Sequence, residues 1–147
     1  MLKGLHPLLH ADLLHALASM GHGDELAIVD ANFPAAAVAR RLIHLPTPSA
    51  ADALDAILTL LPLDIVASPA ALTMQVVGDP LAIPQPVQEF AHVLARHGAA
   101  SGALGSLERT QFYARAREAF AVVRTGDLRP YGNILVVKGV INAYNPR

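Results

Sequence analysis

A histidine flanked by two glycines is the first feature of this sequence that could take part in chemistry. The stretch GHGDELAIVDANFP places His22 between Gly21 and Gly23. Glycine adopts backbone conformations that other residues resist, and it lets a small ligand approach closely. An imidazole with a pKa of about 6.5 both donates and accepts protons at neutral pH. The alternative is an exposed turn residue next to a glycine that ends a helix.

A lone carboxylate, Asp30, follows the short apolar run of the same stretch. Ligand sites of α/β sheets lie at strand ends, which favours a binding role, whereas an aspartate that begins a turn is the plain alternative. An extended chain that rises about 3.3 Å per residue would place Asp30 roughly 26 Å from His22. If both contact one small ligand, either the chain bends back or the two residues come from neighbouring subunits.

The turn RPYGN, at positions 129–133, precedes a strongly apolar segment. Tyr131 and Asn133 offer a hydroxyl and an amide beside Gly132, which allows close approach of the backbone. Such groups suit the hydroxyls of a sugar, and an aromatic ring suits its C–H face. The alternative is an ordinary proline-containing turn between the two strands of a hairpin.

Three further residues are weaker candidates. Arg109 stands at the start of a predicted helix, with Tyr113 one turn later. A solvated arginine beside a core aromatic residue is the more common arrangement. Asp64 comes just past a predicted helix end in apolar company, where a buried acid needs a partner or a raised pKa. If exposed, Asp64 is only a loop acid.

The seven histidines do not form a metal-binding pattern. His10 and His15 are five residues apart, as are His92 and His97, which is the wrong helical phase for two ligands. This spacing disfavours a metal-dependent hydrolase. The chain has no cysteine, so disulfides and thiolate metal sites are excluded and a reducing compartment is favoured.

The composition is that of a folded protein without an electrostatic surface for nucleic acid. The 147 residues are 53% hydrophobic and 16% charged, with a formal net charge of −1. The N-terminal segment lacks an uninterrupted apolar core, and no stretch approaches a membrane span. We therefore expect one cytoplasmic domain that binds neither nucleic acid nor membrane. So small and apolar a chain must expose aliphatic area, which favours self-association.

Helical and strand patterns alternate along the chain, which predicts an α/β domain. Four helices are predicted by apolar spacing and end signals, over about 10–20, PSAADALDAILTLLP, PQPVQEFAHVLARHG and about 110–118. Strands are predicted by short apolar runs between turn residues, at 25–29, about 41–45, ALTMQVV, about 104–107, AFAVVRT and ILVVKGVI.

Four of these stretches together resemble the RbsD/FucU family of L-fucose mutarotases and D-ribose pyranases. They are GHGDELAIVDANFP, LDAILTLLPLD, RTQFYARAREAFAVVRTG and YGNILVVKGV, and the likeness runs nearly end to end. The chain is similar to the fucose branch in Gly-His-Gly-Asp-Glu, in Asp-Ala-x-Phe-Pro and in having arginine at position 109. It departs from the family mainly between Gly78 and Gly105, where it is rich in alanine and proline.

The resemblance implies an RbsD-like fold, which is a single compact three-layer α/β domain over 1–147 with a central sheet flanked by helices. It implies an isomerase that interconverts the α and β anomers of L-fucose, with no metal or other cofactor and with His22 as the catalytic acid/base. It also implies a ring-shaped homo-oligomer, typically a decamer of two stacked pentamers with sites near subunit contacts. The residues with implied roles in sugar binding are Asp30, Arg109, Tyr131, Gly132, Asn133, Tyr113 and Asp64.

Two alternatives to this activity stay open. One is a D-ribose pyranase, which exchanges the pyranose and furanose rings by the same chemistry. The other is a non-catalytic monosaccharide-binding or transport-associated protein. Mutarotation requires only a modest rate enhancement, because water already opens sugar rings slowly. General acid–base catalysis by positioned side chains supplies a rate enhancement of about 10²–10⁴-fold.

Overall fold

A computed structural model describes residues 1–142 and places one six-stranded sheet at the centre of this part of the chain. The spatial order of the strands is β2-β5-β1-β6-β3-β4. Five strands run in the same direction, and β6 runs antiparallel to its neighbours β1 and β3. The bounds of the strands are β1 Glu25–Val29, β2 Leu42–Leu45, β3 Ala71–Met74, β4 Leu104–Leu107, β5 Ala121–Thr125 and β6 Ile134–Val137.

The five parallel strands all begin along one side of the sheet and all end along the opposite side. We call the side where these five strands end the carboxyl edge, and the side where they begin the amino edge. The register pairs Glu25 with Val137 and Ile28 with Ile134. Residues that follow β1 therefore lie beside residues that precede β6 at the carboxyl edge. The predicted alternative of a hairpin between β5 and β6 is wrong, because β1 lies between these two strands.

Helices cover both faces of the sheet, which confirms the predicted three-layer α/β architecture. Leu26 and Ile28 of β1 belong to one buried cluster with residues of α1, α3 and α4. Ala27 and Val29 belong to a second cluster with residues of α2 and α5. This alternation follows from the two-residue period of a strand, and it explains the unbroken apolar run LAIV. The helices are α1 Ala11–Ser19, α2 Ala35–Val38, α3 Ala50–Leu58, α4 Gln85–Arg96 and α5 Arg109–Glu118.

Local hydrogen bonds set where the helices begin. The side chain of Ser49 accepts from the Asp52 amide at the start of α3, at 3.1 Å, as the sequence pattern predicts. The carboxylate of Glu108 accepts from the Thr110 amide at the start of α5, at 2.9 Å. None of the helices within the described part of the chain has the length and apolar character that crossing a membrane requires.

Candidate active site

Asp30 lies directly after β1 at the carboxyl edge, where backbone and side-chain donors hold it in place. Its amide donates to Asn133 Oδ1 at 2.9 Å, and its Oδ1 accepts from the amides of Asn32 and Phe33, both at 2.9 Å. The side chain is buried, and burial raises the pKa of Asp30 against the opposing effect of these amides. The result is a fixed polar group at a strand end, where the sequence predicts a ligand site.

The turn that carries Tyr131 and Gly132 packs against Asp30. The backbone of Tyr131 adopts a φ of +63°, a left-handed conformation that residues other than glycine rarely take. The Tyr131 hydroxyl accepts from the Val77 amide at 3.1 Å. A Cβ atom at Gly132 would lie 3.4 Å from the Cβ of Asp30, an ordinary contact distance, so the Gly132 backbone lies directly beside Asp30. The predicted group Tyr131, Gly132 and Asn133 is thus brought together with Asp30.

Arg109 and Tyr113 lie at the same edge, since α5 begins just after β4. The guanidinium carbon of Arg109 lies 5.7 Å from the centre of the Tyr113 ring. That ring packs edge-on against Phe33, with ring centres 5.2 Å apart. Phe33 is three residues after Asp30, so one continuous group of side chains joins Arg109 and Tyr113 to the Asp30 loop.

An ion-pair network that the sequence reasoning missed fixes the start of the 129–133 turn. Asp127 is only 1% exposed, and its two carboxylate oxygens accept from Arg129 Nε at 3.0 Å and Nη2 at 2.9 Å. Asp127 Oδ2 also accepts from the Ala50 amide at the start of α3, at 3.0 Å. Arg129 Nη1 reaches Glu89 of α4, at 2.6 Å from its Oε2. The network ties the turn to two helices whose partner residues lie far away in sequence.

The Glu89–Arg129 pair should make the fold sensitive to acid. The Arg129 guanidinium holds the pKa of Glu89 below its usual value, so the folded chain binds fewer protons than the unfolded chain. This contribution is present above about pH 4.3, the usual glutamate value, and is lost as the pH falls further. We expect the urea midpoint of Glu89→Gln to fall less between pH 5 and 3 than that of the wild type. Glu118→Gln, which makes the same change at an exposed position, is the control and should follow the wild type. If the urea midpoint of Glu89→Gln falls with pH as steeply as that of the wild type, the prediction is wrong.

His22 lies at the amino edge, on the turn between α1 and β1. The Gly21 amide donates to Asp24 Oδ2 at 2.7 Å, and the Gly23 amide donates to the Lys138 carbonyl at 2.8 Å. The imidazole is 51% exposed, and its Nε2 lies 3.4 Å from Asp64 Oδ1. The sequence left open whether His22 is an idle turn residue, and this carboxylate partner favours a chemical role.

Asp64 is the buried acid for which the sequence predicted a partner or a raised pKa. It is buried, with Oδ1 accepting from the Val66 amide at 3.2 Å and Oδ2 from the Ala67 amide at 3.1 Å. The Val66 and Ala67 amides and the His22 ring hold the pKa of Asp64 below its usual value, although desolvation opposes them. Asp64 is therefore a carboxylate at neutral pH, and a charged acceptor faces one ring nitrogen of His22.

The two groups of candidate residues lie at opposite edges of the sheet. The six residue steps from Asp24 to Asp30 include β1 and, at about 3.3 Å per residue, cover roughly 20 Å. This is far more than the width of a monosaccharide. One protomer thus brings Asp30, Tyr131, Gly132, Asn133, Arg109 and Tyr113 together and keeps His22 and Asp64 apart from them. The chain does not bend back between His22 and Asp30. Residues 1–142 contain no group of three His, Asp or Glu side chains arranged to hold a metal ion.

Sequence comparison decides the family to which this arrangement belongs. The RbsD / FucU transport protein family matches residues 3–141. The chain belongs to the RbsD/FucU family. Among its RbsD/FucU relatives, the fucose mutarotase of Homo sapiens is 45% identical over an alignment of 154 positions, which covers 99% of this chain and 97% of the relative. The L-fucose mutarotase of Actinobacillus pleuropneumoniae (serotype 5b, strain L20) is 40% identical, with 95% and 97% covered.

Solved structures of RbsD/FucU proteins share the fold. A fucose mutarotase from Streptococcus pneumoniae, in complex with L-fucose, has a TM-score of 0.90 and 37% identity, covering 96% of this chain and all (100%) of that one. RbsD of Bacillus subtilis, in complex with D-ribose, has a TM-score of 0.71 and 25% identity, covering 97% and 100%. The chain is thus more similar to this fucose-type member than to this ribose-type member.

Proposed function

We propose that this chain is an L-fucose mutarotase, an isomerase that interconverts the α and β anomers of the free sugar without a metal or other cofactor. The observation that carries the proposal is the His22–Asp64 pair, in which a half-exposed imidazole faces a buried carboxylate. The proposal is supported by the names of relatives that are 40% and 45% identical over nearly the whole chain.

The proposed chemistry is a pair of proton transfers. A base takes the proton of the anomeric hydroxyl while an acid protonates the ring oxygen, and the bond between C1 and the ring oxygen breaks. The aldehyde turns its other face, and the same steps reverse. His22 carries a proton in this exchange. In its neutral form a proton on Nε2 is directed at Asp64, which leaves Nδ1 as the base.

The sugar is proposed to be held by the carboxyl edge. Asp30 and Asn133 present a carboxylate and an amide, Gly132 lets the sugar approach the backbone, and Tyr131 offers a hydroxyl and a ring face. Arg109 adds a cation, and Tyr113 supports it. These groups are fixed before the sugar arrives, because the Asp30 loop and the 129–133 turn are already hydrogen-bonded. Preorganised groups lose little freedom on binding.

We further propose that two subunits complete each site, with the amino edge of one against the carboxyl edge of the next. Both edges expose large apolar side chains that such contact would bury. Ile65, 94% exposed, stands next to Asp64, and Leu128 follows Asp127 as an exposed residue of the turn. Contact between two different edges is heterologous, and it closes into a ring when the rotation allows. The homodecamer is proposed on the family resemblance.

Three other predictions from the sequence are kept as proposals. The domain extends over 1–147, the protein is cytoplasmic, and it has neither nucleic-acid nor membrane partners. They are supported by the near-neutral charge, by the lack of cysteine and by the length of the family match.

Saturation-transfer NMR on free sugars separates the proposal from its alternatives. We expect the protein to speed anomer exchange of L-fucose more than ring exchange of D-ribose, at equal enzyme and sugar concentrations. Faster exchange of D-ribose would make the protein a ribose pyranase instead. Sugar binding without any added exchange would make it a binding protein. L-Fucose exchange with bovine serum albumin at the same concentration is the control.

A further inference from the structure

Lys138, which directly follows β6, holds the turn of His22 from both of its ends. The Lys138 carbonyl accepts from the Gly23 amide at 2.8 Å, and the Lys138 amide donates to the Asp24 carbonyl at 2.9 Å. The side chain reaches the other end of the turn, where Nζ donates to the carbonyls of Leu17 at 2.8 Å and Met20 at 2.6 Å. One residue thus connects the end of α1, the His22 turn and the sheet.

The ammonium group of Lys138 supplies what the end of α1 lacks. The last carbonyls of a helix have no partner within the helix, and they carry the negative end of its dipole. The last turn of α1 contains no basic residue of its own. The ammonium group of Lys138 therefore provides a donor and a positive charge for one carbonyl in the last turn of α1 and for the Met20 carbonyl just beyond it.

Gly139 positions Asp64, the other residue of the His22–Asp64 pair. The Gly139 amide donates to the Pro62 carbonyl at 2.7 Å, and the Asp64 amide donates to the Val137 carbonyl at 2.9 Å. A Cβ atom at position 139 would lie 2.8 Å from the Cα of Asp64 and 2.8 Å from the Leu63 carbonyl oxygen. Any side chain there would push the backbone of Asp64 away from β6.

We propose that Lys138 and Gly139 together are the positioning unit of the proton-transfer pair, setting the distance between the His22 ring and the Asp64 carboxylate without touching the sugar. The two glycines that leave room around His22 also give the turn many conformations, with Gly23 at a φ of +85°. Contacts from outside the turn are therefore needed to stabilise one of these conformations. The inference rests on the proposed role of His22.

Lys138→Met tests the unit, because methionine keeps an unbranched stem and removes the ammonium group. We expect kcat for L-fucose exchange to fall by about 10-fold or more, since small misplacements of reacting groups are costly. KM should stay within about twofold, because Lys138 does not contact the carboxyl edge. Lys138→Arg, which keeps a cationic donor, should restore most of kcat. Asp55→Asn, which breaks the ion pairs of Asp55 with Arg96 and His97, is the stability control.

The ring signals of His22 supply a second measurement that does not depend on activity. In ¹H–¹⁵N spectra the imidazole signals of Lys138→Met should shift toward those of Asp64→Asn, because both lose the contact between ring and carboxylate. If Lys138→Met lowers the melting temperature like Asp55→Asn but leaves kcat and the His22 signals unchanged, the proposal is overturned. If Lys138→Met does not fold, Lys138→Gln, which keeps a neutral donor in place of the ammonium group, decides by the same two readouts. Reduced kcat with shifted His22 signals supports the proposal, and wild-type-like values for both overturn it. Absence of exchange in the wild type would sink the proposed function, while the His22 signals would still test the positioning.

Discussion

Replacing His22 by alanine is expected to lower the catalysed rate of L-fucose anomer exchange by about 10²–10⁴-fold, the range that general acid–base catalysis supplies. The loss should fall on kcat. The groups proposed to hold the sugar, among them Asp30 and Asn133, lie at the carboxyl edge, and within one protomer they do not contact His22. Saturation-transfer NMR gives the exchange rate, and isothermal calorimetry with L-fucose gives the affinity, which should change by only a few fold.

The control for this variant is His92→Ala, which removes an exposed histidine from α4. It should leave both exchange and binding unchanged, because alanine also favours the helix. An His22→Ala protein that exchanges fucose at near the wild-type rate would show that the imidazole is not the acid/base. A variant that loses sugar binding to the same degree would instead make His22 a binding residue.

The second large effect is expected for Asp30→Asn, which should weaken L-fucose binding by about 10–150-fold. This range corresponds to the roughly 1.5–3 kcal/mol that a hydrogen bond to a charged group contributes. The asparagine oxygen can still accept from the amides of Asn32 and Phe33, so the loop should keep its shape. The loss then reports on the missing charge, and isothermal calorimetry with L-fucose measures it.

Asp12→Asn is the matched control, since it makes the same chemical change at an exposed aspartate of α1. It should bind L-fucose as the wild type does. The role of Asp30 would be wrong if Asp30→Asn bound the sugar with unchanged affinity while its melting temperature stayed normal. Asp30 would then only shape the loop.

Local patterns in the sequence predict much of this fold and the existence of both candidate groups. The strand at 25–29 is found with the predicted bounds, because burial on both faces leaves a short run of consecutive apolar residues. Asp30 follows that strand, and His22 lies on the glycine turn before it, as predicted. The family resemblance on four stretches is confirmed by the match over 3–141. The catalytic and binding roles of the individual residues stay predictions.

The sequence could not predict contacts between distant segments. Strands β5 and β6 follow each other, so a hairpin was a reasonable alternative, yet β1 pairs with both of them. Arg129 meets Glu89 forty residues away in sequence, and the Lys138 ammonium meets Leu17 at a separation of 121. No local periodicity marks such pairs. The distance between His22 and Asp30 also depends on the sheet. Because β1 runs straight between them, the chain does not bend back to bring the two residues together.

Each sugar site is proposed to take His22 from one subunit and Asp30 from the next. This proposal is tested most directly by mixing His22→Ala and Asp30→Asn chains, co-expressed with different tags and purified through both, and measuring L-fucose anomer exchange. At L-fucose concentrations well below the wild-type Kd, each variant alone should be nearly inactive, because His22→Ala lacks the acid/base and Asp30→Asn binds little sugar. In equal random mixtures about a quarter of the head-to-tail contacts join an intact amino edge to an intact carboxyl edge, so about a quarter of wild-type activity should return. Mixed oligomers that contain both chains and show only the residual exchange of the two separate variants would contradict the shared site.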